Sequence, residues 1–217
     1  MTYIITGFYG SGKTEFSLNL ALELARQGEE GITLADLDVI NPYFRSRERI
    51  VELSKHGVSI ESDHLGNNTG YDLPAVSFAF LSKVRAGENV IIDLGGGDVG
   101  ARLLAYCHEA VLGVPHEFLC VLNPFRSDTD TADKMTDFLE TINAVSPMKV
   151  TGVVCNGHLL HHTTAEDVLY SERIVSEVGL PIKYTMLRND IYEQIGDKLL
   201  AEKFMVFDKL QMRENWQ

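Results

Sequence analysis

Gly7-Phe8-Tyr9-Gly10-Ser11-Gly12-Lys13-Thr14 decides the fold class, because it satisfies G-x-x-x-x-G-K-[ST] at every fixed position. Tyr3-Ile4-Ile5-Thr6 before it reads as a short buried strand, and Glu15 to Gln27 after it reads as a helix. In that setting the glycines let the backbone approach a ligand closely, so that successive N–H groups converge on phosphate oxygens. The N-terminus of the following helix adds its partial positive charge. Gly10, Ser11, Gly12, Lys13, Thr14 and Glu15 are therefore the expected nucleotide-contacting set. Lys13 is expected to reach the β- and γ-phosphates, and the Thr14 hydroxyl to hold Mg²⁺. The alternative is a glycine-rich βα turn that binds nothing.

Outward from this loop, strand-like runs near 2–6, 31–36, 57–61, 89–94, 117–123, 149–155 and 182–186 alternate with amphipathic stretches. The clearest of those stretches are 13–27, 130–145, 164–178 and 190–212. Continuous apolar runs such as Val90-Ile91-Ile92 fit strands covered on both faces. The pattern predicts a three-layer, doubly wound α/β fold with a mainly parallel sheet, ligands gathering at the strand carboxyl ends. No linker, repeat or low-complexity tract interrupts it, so residues 1–217 read as one domain.

Bulk properties narrow the setting. The 217 residues are 45% hydrophobic and 23% charged, which suits a soluble globular chain. A net charge of −12 argues against nonspecific nucleic-acid binding, which needs Lys and Arg on phosphates. There is no apolar run long enough to span a membrane, and the strand starts too early to leave room for a signal peptide. Cys107, Cys120 and Cys155 are odd in number and widely spaced, as expected of reduced, buried thiols in the cytoplasm.

Three further segments each follow a predicted strand. In Ala35-Asp36-Leu37-Asp38, two aspartates leave the strand on one side, near the expected magnesium and attacking water. In Ile92-Asp93-Leu94-Gly95-Gly96-Gly97, an aspartate ending an apolar strand is placed to hold Mg²⁺, and a glycine N–H such as that of Gly96 to meet the γ-phosphate. In Val154-Cys155-Asn156-Gly157-His158, Asn156 either contacts adenine through N6 and N7 or simply forms a turn. Guanine-specific folds use Asn-Lys-x-Asp, and no such carboxylate follows Asn156, which favours ATP (or ADP) over GTP.

This order of motifs resembles the ParA/MinD/CobQ-like branch of the P-loop NTPases over essentially the whole chain. The resemblance implies a Mg²⁺-dependent ATPase that works as a nucleotide-driven switch on a partner protein. By position it makes Lys13 and Asp38 catalytic, Asp38 orienting the water, and makes Thr14, Asp36 and Asp93 the metal residues. Members such as MinD and ParA pair as homodimers around nucleotide, using a second lysine directly after the first loop glycine. That position is Phe8 here, which removes one route to charge stabilisation, argues against that dimer geometry and predicts slow hydrolysis in isolation. Arg45, Arg47, Arg49 or Arg126 are candidates to supply the charge instead, or they solvate a helix face and pair with Glu48 and Glu52. A second resemblance, to ATP-dependent ligases of the dethiobiotin synthetase and cobyrinic acid synthase type, would imply a small carboxylate substrate. It matches Thr6-Gly7 but lacks that group's internal loop pattern. A third reading is an ATP-binding module without hydrolysis. His158, His161 and His162 form either a solvated loop or a metal site. Leu199, Leu200, Phe204, Phe207 and Leu210 suggest a helical tail that packs on the sheet or a partner rather than on a membrane.

Overall fold

The computed structural model describes residues 1–37, 50–62, 79–208 and 210–211. Eight strands form one sheet: β1 (Thr2–Gly7), β2 (Thr33–Leu37), β3 (Ser59–Ser62), β4 (Val90–Leu94), β5 (His116–Leu122), β6 (Gly152–Cys155), β7 (Ile182–Arg188) and β8 (Lys203–Phe207). Their order is β3-β2-β4-β1-β5-β6-β7-β8, and every neighbouring pair is parallel. The predicted α/β class and parallel sheet are what the chain forms. All six residues of β1 and all five of β4 are buried, as expected of central strands covered on both faces.

The helices are α1 (Lys13–Arg26), α2 (Ile50–Lys55), α3 (Leu81–Arg85), α4 (Gly97–Leu103), α5 (His108–Leu112), α6 (Ala132–Val145), α7 (Ala165–Ser176) and α8 (Asn189–Ile195). On one face, Phe16, Leu20 and Leu24 of α1 pack with Ile5, Leu34, Ile91 and Val121. On the other, Ala101, Met135, Leu139 and Val175 of α4, α6 and α7 pack with Ile4, Ile92, Phe118 and Val153. Alternate residues of each strand thus serve opposite layers, the period-two rule of a pleated sheet. Helix α7 is started by a reciprocal cap, Asp167 N–H donating to Thr164 Oγ1 and Thr164 N–H to the Asp167 carboxylate.

One prediction is corrected. The stretch 190–212 is not a single helix: α8 ends at Ile195, and Lys203–Phe207 adds β8 beside β7. Met205 and Phe207 join the α1-side core, whereas Phe204 and Val206 face Ile191 and Ile195. Alternation therefore won over the wider apolar spacing, as the β-branched and aromatic composition of Phe204-Met205-Val206-Phe207 favours. The tail then crosses α1, where Gln211 N–H donates to Glu15 Oε1 at 2.7 Å.

The chain steps outward from β1 to β2 and β3, returns to β4, then crosses to β5 on the other side of β1. Strand ends β1, β4 and β5 consequently surround the point where the winding reverses, the usual ligand crevice of such sheets.

Candidate functional site

The phosphate-loop motif occupies that crevice, joining β1 to α1. Gly10 has φ 72° and Gly12 has φ 95°, left-handed values that a side chain would resist. A Cβ at Gly12 would also strike the buried Asn156 amide, whereas one at Gly10 would displace only the exposed Arg126 guanidinium. Ser11 N–H donates to the Phe8 carbonyl at 3.1 Å and Phe16 N–H to that of Gly12 at 2.9 Å, closing the loop onto the helix. Gly12 caps α1 without a side-chain hydrogen bond, so the first-turn amides of α1 have no capping group of their own. Ser11 Oγ is buried and has no hydrogen-bond partner among the described residues. An anion seated on these groups would satisfy them.

Lys13 is only 6% exposed and Thr14 9%, so neither side chain projects into bulk water. Gly96, which caps α4, lies against the loop. A Cβ there would stand 3.4 Å from Tyr9 N, 3.5 Å from Gly7 O and 3.6 Å from Lys13 Nζ. Lys13 and Gly96 are thus brought together at the loop.

Asp93 is fully buried at the end of β4, in register with Ile5 of β1 and with Asp36 of β2. Residues in register on neighbouring parallel strands lie about 4.8 Å apart and share a face. Asp36 and Asp93 therefore both stand on the face that carries α1. Two carboxylates and a hydroxyl are hard oxygen donors, and they fit Mg²⁺, which is held by one or two carboxylates together with phosphate oxygens. Among the described residues no group of three His, Cys, Asp or Glu side chains forms a metal cage. The donor set suits an ion that arrives with phosphate, and the three histidines form no centre of their own.

Asn156, at 7% exposure, donates from Nδ2 to the Ser11 carbonyl at 2.7 Å. The end of β6 thereby props the phosphate loop. Glu15 is turned inward: Asn19 Nδ2 donates to its Oε1 at 2.8 Å, alongside the bond from Gln211. Asp38, Arg45, Arg47 and Arg49 lie outside the described residues. Phe8 is half-buried and packs edge-on against Phe138 of α6 with ring centroids 5.5 Å apart, so an aromatic contact occupies the position of the second lysine.

Sequence reasoning passed over the turn after β5. Phe125 N–H donates to Asn123 Oδ1 at 2.9 Å, and Thr129 Oγ1 to the Asn123 carbonyl at 2.8 Å. Asn123 Nδ2 also reaches the His158 carbonyl at 3.4 Å, linking the loops after β5 and β6. The signal was an Asn-Pro pair at a strand end, a side-chain-stabilised turn. All three cysteines are free and buried, and burial pushes Cys107 up to about 11, Cys120 up to about 12 and Cys155 further still. None is a poised nucleophile.

No family model matches the chain, and no curated protein matches it in sequence. Solved structures do. The cell division protein FtsY of Thermotoga maritima superposes with a TM-score of 0.56 at 22% identity, over 86% of this chain and 61% of that one. The signal recognition particle receptor FtsY of Elizabethkingia anophelis, in complex with GDP, gives 0.53 and 22%, over 85% and 56%. A nucleotide-binding protein from Archaeoglobus fulgidus, in complex with ADP, gives 0.51 and 16%, over 88% and 83%. The chain spans about three fifths of the FtsY proteins it matches. Together with the all-parallel sheet and the loop at its switch point, these likenesses make the fold that of the P-loop NTPases.

Proposed function

We propose that this protein binds ATP with Mg²⁺ and hydrolyses it slowly, as a nucleotide-driven switch on a partner protein. The observation that carries the reading is the packing of Lys13 and Gly96 about one phosphate loop, with the carboxylates of Asp36 and Asp93 on the α1 face beside it. In this reading the loop amides and Lys13 hold the β- and γ-phosphates, and Thr14, Asp36 and Asp93 hold the ion. Mg²⁺ supplies charge neutralisation on the phosphate oxygens when bound. Asp38 orients the attacking water, and loss of the γ-phosphate releases the contact at Gly96, where α4 begins.

Adenine rests on the residues after Asn156, which lack a guanine-reading carboxylate. One structural neighbour was solved with ADP and another with GDP, so the fold does not choose between them. The motif order favours the ParA/MinD/CobQ-like branch, with residues 1–217 as one nucleotide-binding unit. Buried thiols support a cytoplasmic setting, and no described helix is long and apolar enough to cross a membrane.

Titration calorimetry of MgATP and MgGTP against wild type and Lys13→Ala tests the reading. Wild type is expected to bind ATP more tightly than GTP, and the variant to lose at least about tenfold in affinity, the scale of one charged contact. Equal affinity of wild type and variant would refute it.

A further inference from the structure

The turn after β5 sets a cation over the phosphate loop, and the proposed function leaves that cation unused. Arg126 N–H donates to the Asn123 carbonyl at 3.1 Å, and Thr129 N–H donates to the Arg126 carbonyl at 2.9 Å. Asn123 is 5% exposed and Thr129 fully buried, so both anchors of the turn are fixed in the core. The Arg126 side chain is exposed. Its Nη2, Cζ and Nε are the three atoms nearest a Cβ placed on Gly10, so the guanidinium covers the crest of the loop.

Arg26, Arg102 and Arg188 pair with Glu23, Asp98 and Asp190, whereas among the described residues Arg85, Arg126 and Arg173 form no ion pair, Arg173 lying over the Tyr170 ring instead. The two acids closest to Arg126 in sequence are engaged elsewhere, Asp128 with the Ser127 hydroxyl and Asp130 with Lys134. A guanidinium held at a phosphate loop without a counter-ion is suited to a bidentate contact with phosphate oxygens.

Sheet order says which phosphates. Asp93 lies at the end of β4 and Gly96 follows it on one side of β1, and Arg126 follows β5 on the other. If the terminal phosphate lies beside Gly96, Arg126 faces the opposite part of the chain of phosphates. We infer that Arg126 binds the α- and β-phosphates of a nucleotide held in the loop, in cis, supplying a positive charge where Phe8 supplies none. The inference rests on the nucleotide-binding reading above.

Calorimetry on the full chain tests it, with ADP, GDP and a non-hydrolysable ATP analogue, each with Mg²⁺, against wild type, Arg126→Ala and Arg126→Lys. The variants should keep the wild-type melting temperature, because the side chain is exposed. Arg126→Ala is expected to weaken diphosphate and triphosphate alike by about tenfold or more. Arg126→Lys should recover part of the loss as a point charge, and high salt should shrink the difference between wild type and Arg126→Ala. Diphosphate affinity within about threefold of wild type would overturn the inference while leaving nucleotide binding intact. A loss confined to the triphosphate would also overturn it, by moving Arg126 to the γ-phosphate. A wild type that binds no nucleotide would remove both readings together.

Discussion

Replacing Gly12 by Ala should damage the phosphate loop in two separable ways, and Asn156 is the means of separating them. The first cost is backbone strain, because φ at Gly12 is 95° and a side chain in the left-handed region costs about 1–2 kcal/mol. The second is displacement of the Asn156 amide, which breaks its 2.7 Å bond to the Ser11 carbonyl. Leaving that buried carbonyl unpaired costs about 1–3 kcal/mol. Asn156→Ala alone pays only the second cost. Once Asn156 is Ala, Gly12→Ala meets no amide, so the double variant should be more stable than the two single effects predict by about one hydrogen bond, roughly 1–3 kcal/mol. Urea unfolding followed by far-UV circular dichroism gives the four stabilities of the cycle. Additivity within about 0.5 kcal/mol would show that the two residues do not share a contact, and would refute the account of the loop as propped from β6.

Two other predictions concern the frame around the site. Glu172 is 1% exposed and accepts from Thr185 Oγ1, from Leu200 N–H at 2.6 Å and from Ala201 N–H at 3.3 Å, tying α7 to the approach to β8. Glu172→Ala should cost about 3 kcal/mol, lowering the melting temperature by about 6–12 °C, with Glu172→Gln intermediate because it keeps one acceptor. A scanning-calorimetry shift of less than about 2 °C for the Ala variant would discount that tie. His158 has its pKa lowered to about 4, by burial first and by the charge of Arg188 second. Its Nδ1 accepts from Leu160 N–H at 2.9 Å, and its buried Nε2 has no partner among the described residues to take up a proton. The folded pKa lies below the unfolded value near 6.5, so the unfolded chain binds more protons between the two. The stability held by neutral His158 is therefore complete above about pH 6.5 and lost as the pH falls toward 4. His158→Asn should flatten the stability profile across that window, and an unchanged slope would count against the burial argument.

The parallel sheet was legible because most of its strands are apolar runs set off by polar turns, Ser59-Ile60-Glu61-Ser62 of β3 being the faint one, and because the loop motif demands a strand before it and a helix after it. β8 was misread. In isolation Leu199, Leu200, Phe204, Phe207 and Leu210 satisfy a helical stripe as well as Phe204-Met205-Val206-Phe207 satisfy a strand. Only the open edge of β7 chooses between them, and that edge is a tertiary fact. The Glu172 tie is invisible for the same reason, since its three donors come from residues 13, 28 and 29 positions away.

Asn156 shows how a residue can be found for one reason and held for another. Its place at the end of a strand is compatible with a base contact or with a turn. In the folded chain its Nδ2 is bonded to the phosphate loop, 145 residues distant in sequence. A side-chain amide has two N–H hydrogens and a carbonyl oxygen with two lone pairs. One hydrogen goes to Ser11, and the remaining hydrogen and the oxygen match the N7 acceptor and N6 donor of adenine. The two roles are chemically compatible, and together they make Asn156 more demanding than either does alone. Asp at this position would lack the donor and set a negative oxygen against the Ser11 carbonyl, while Ala would lose the prop. If adenine is read here, the residue that reads the base also fixes the shape of the loop that holds the phosphates. Base preference and phosphate affinity should then change together in Asn156 variants rather than independently.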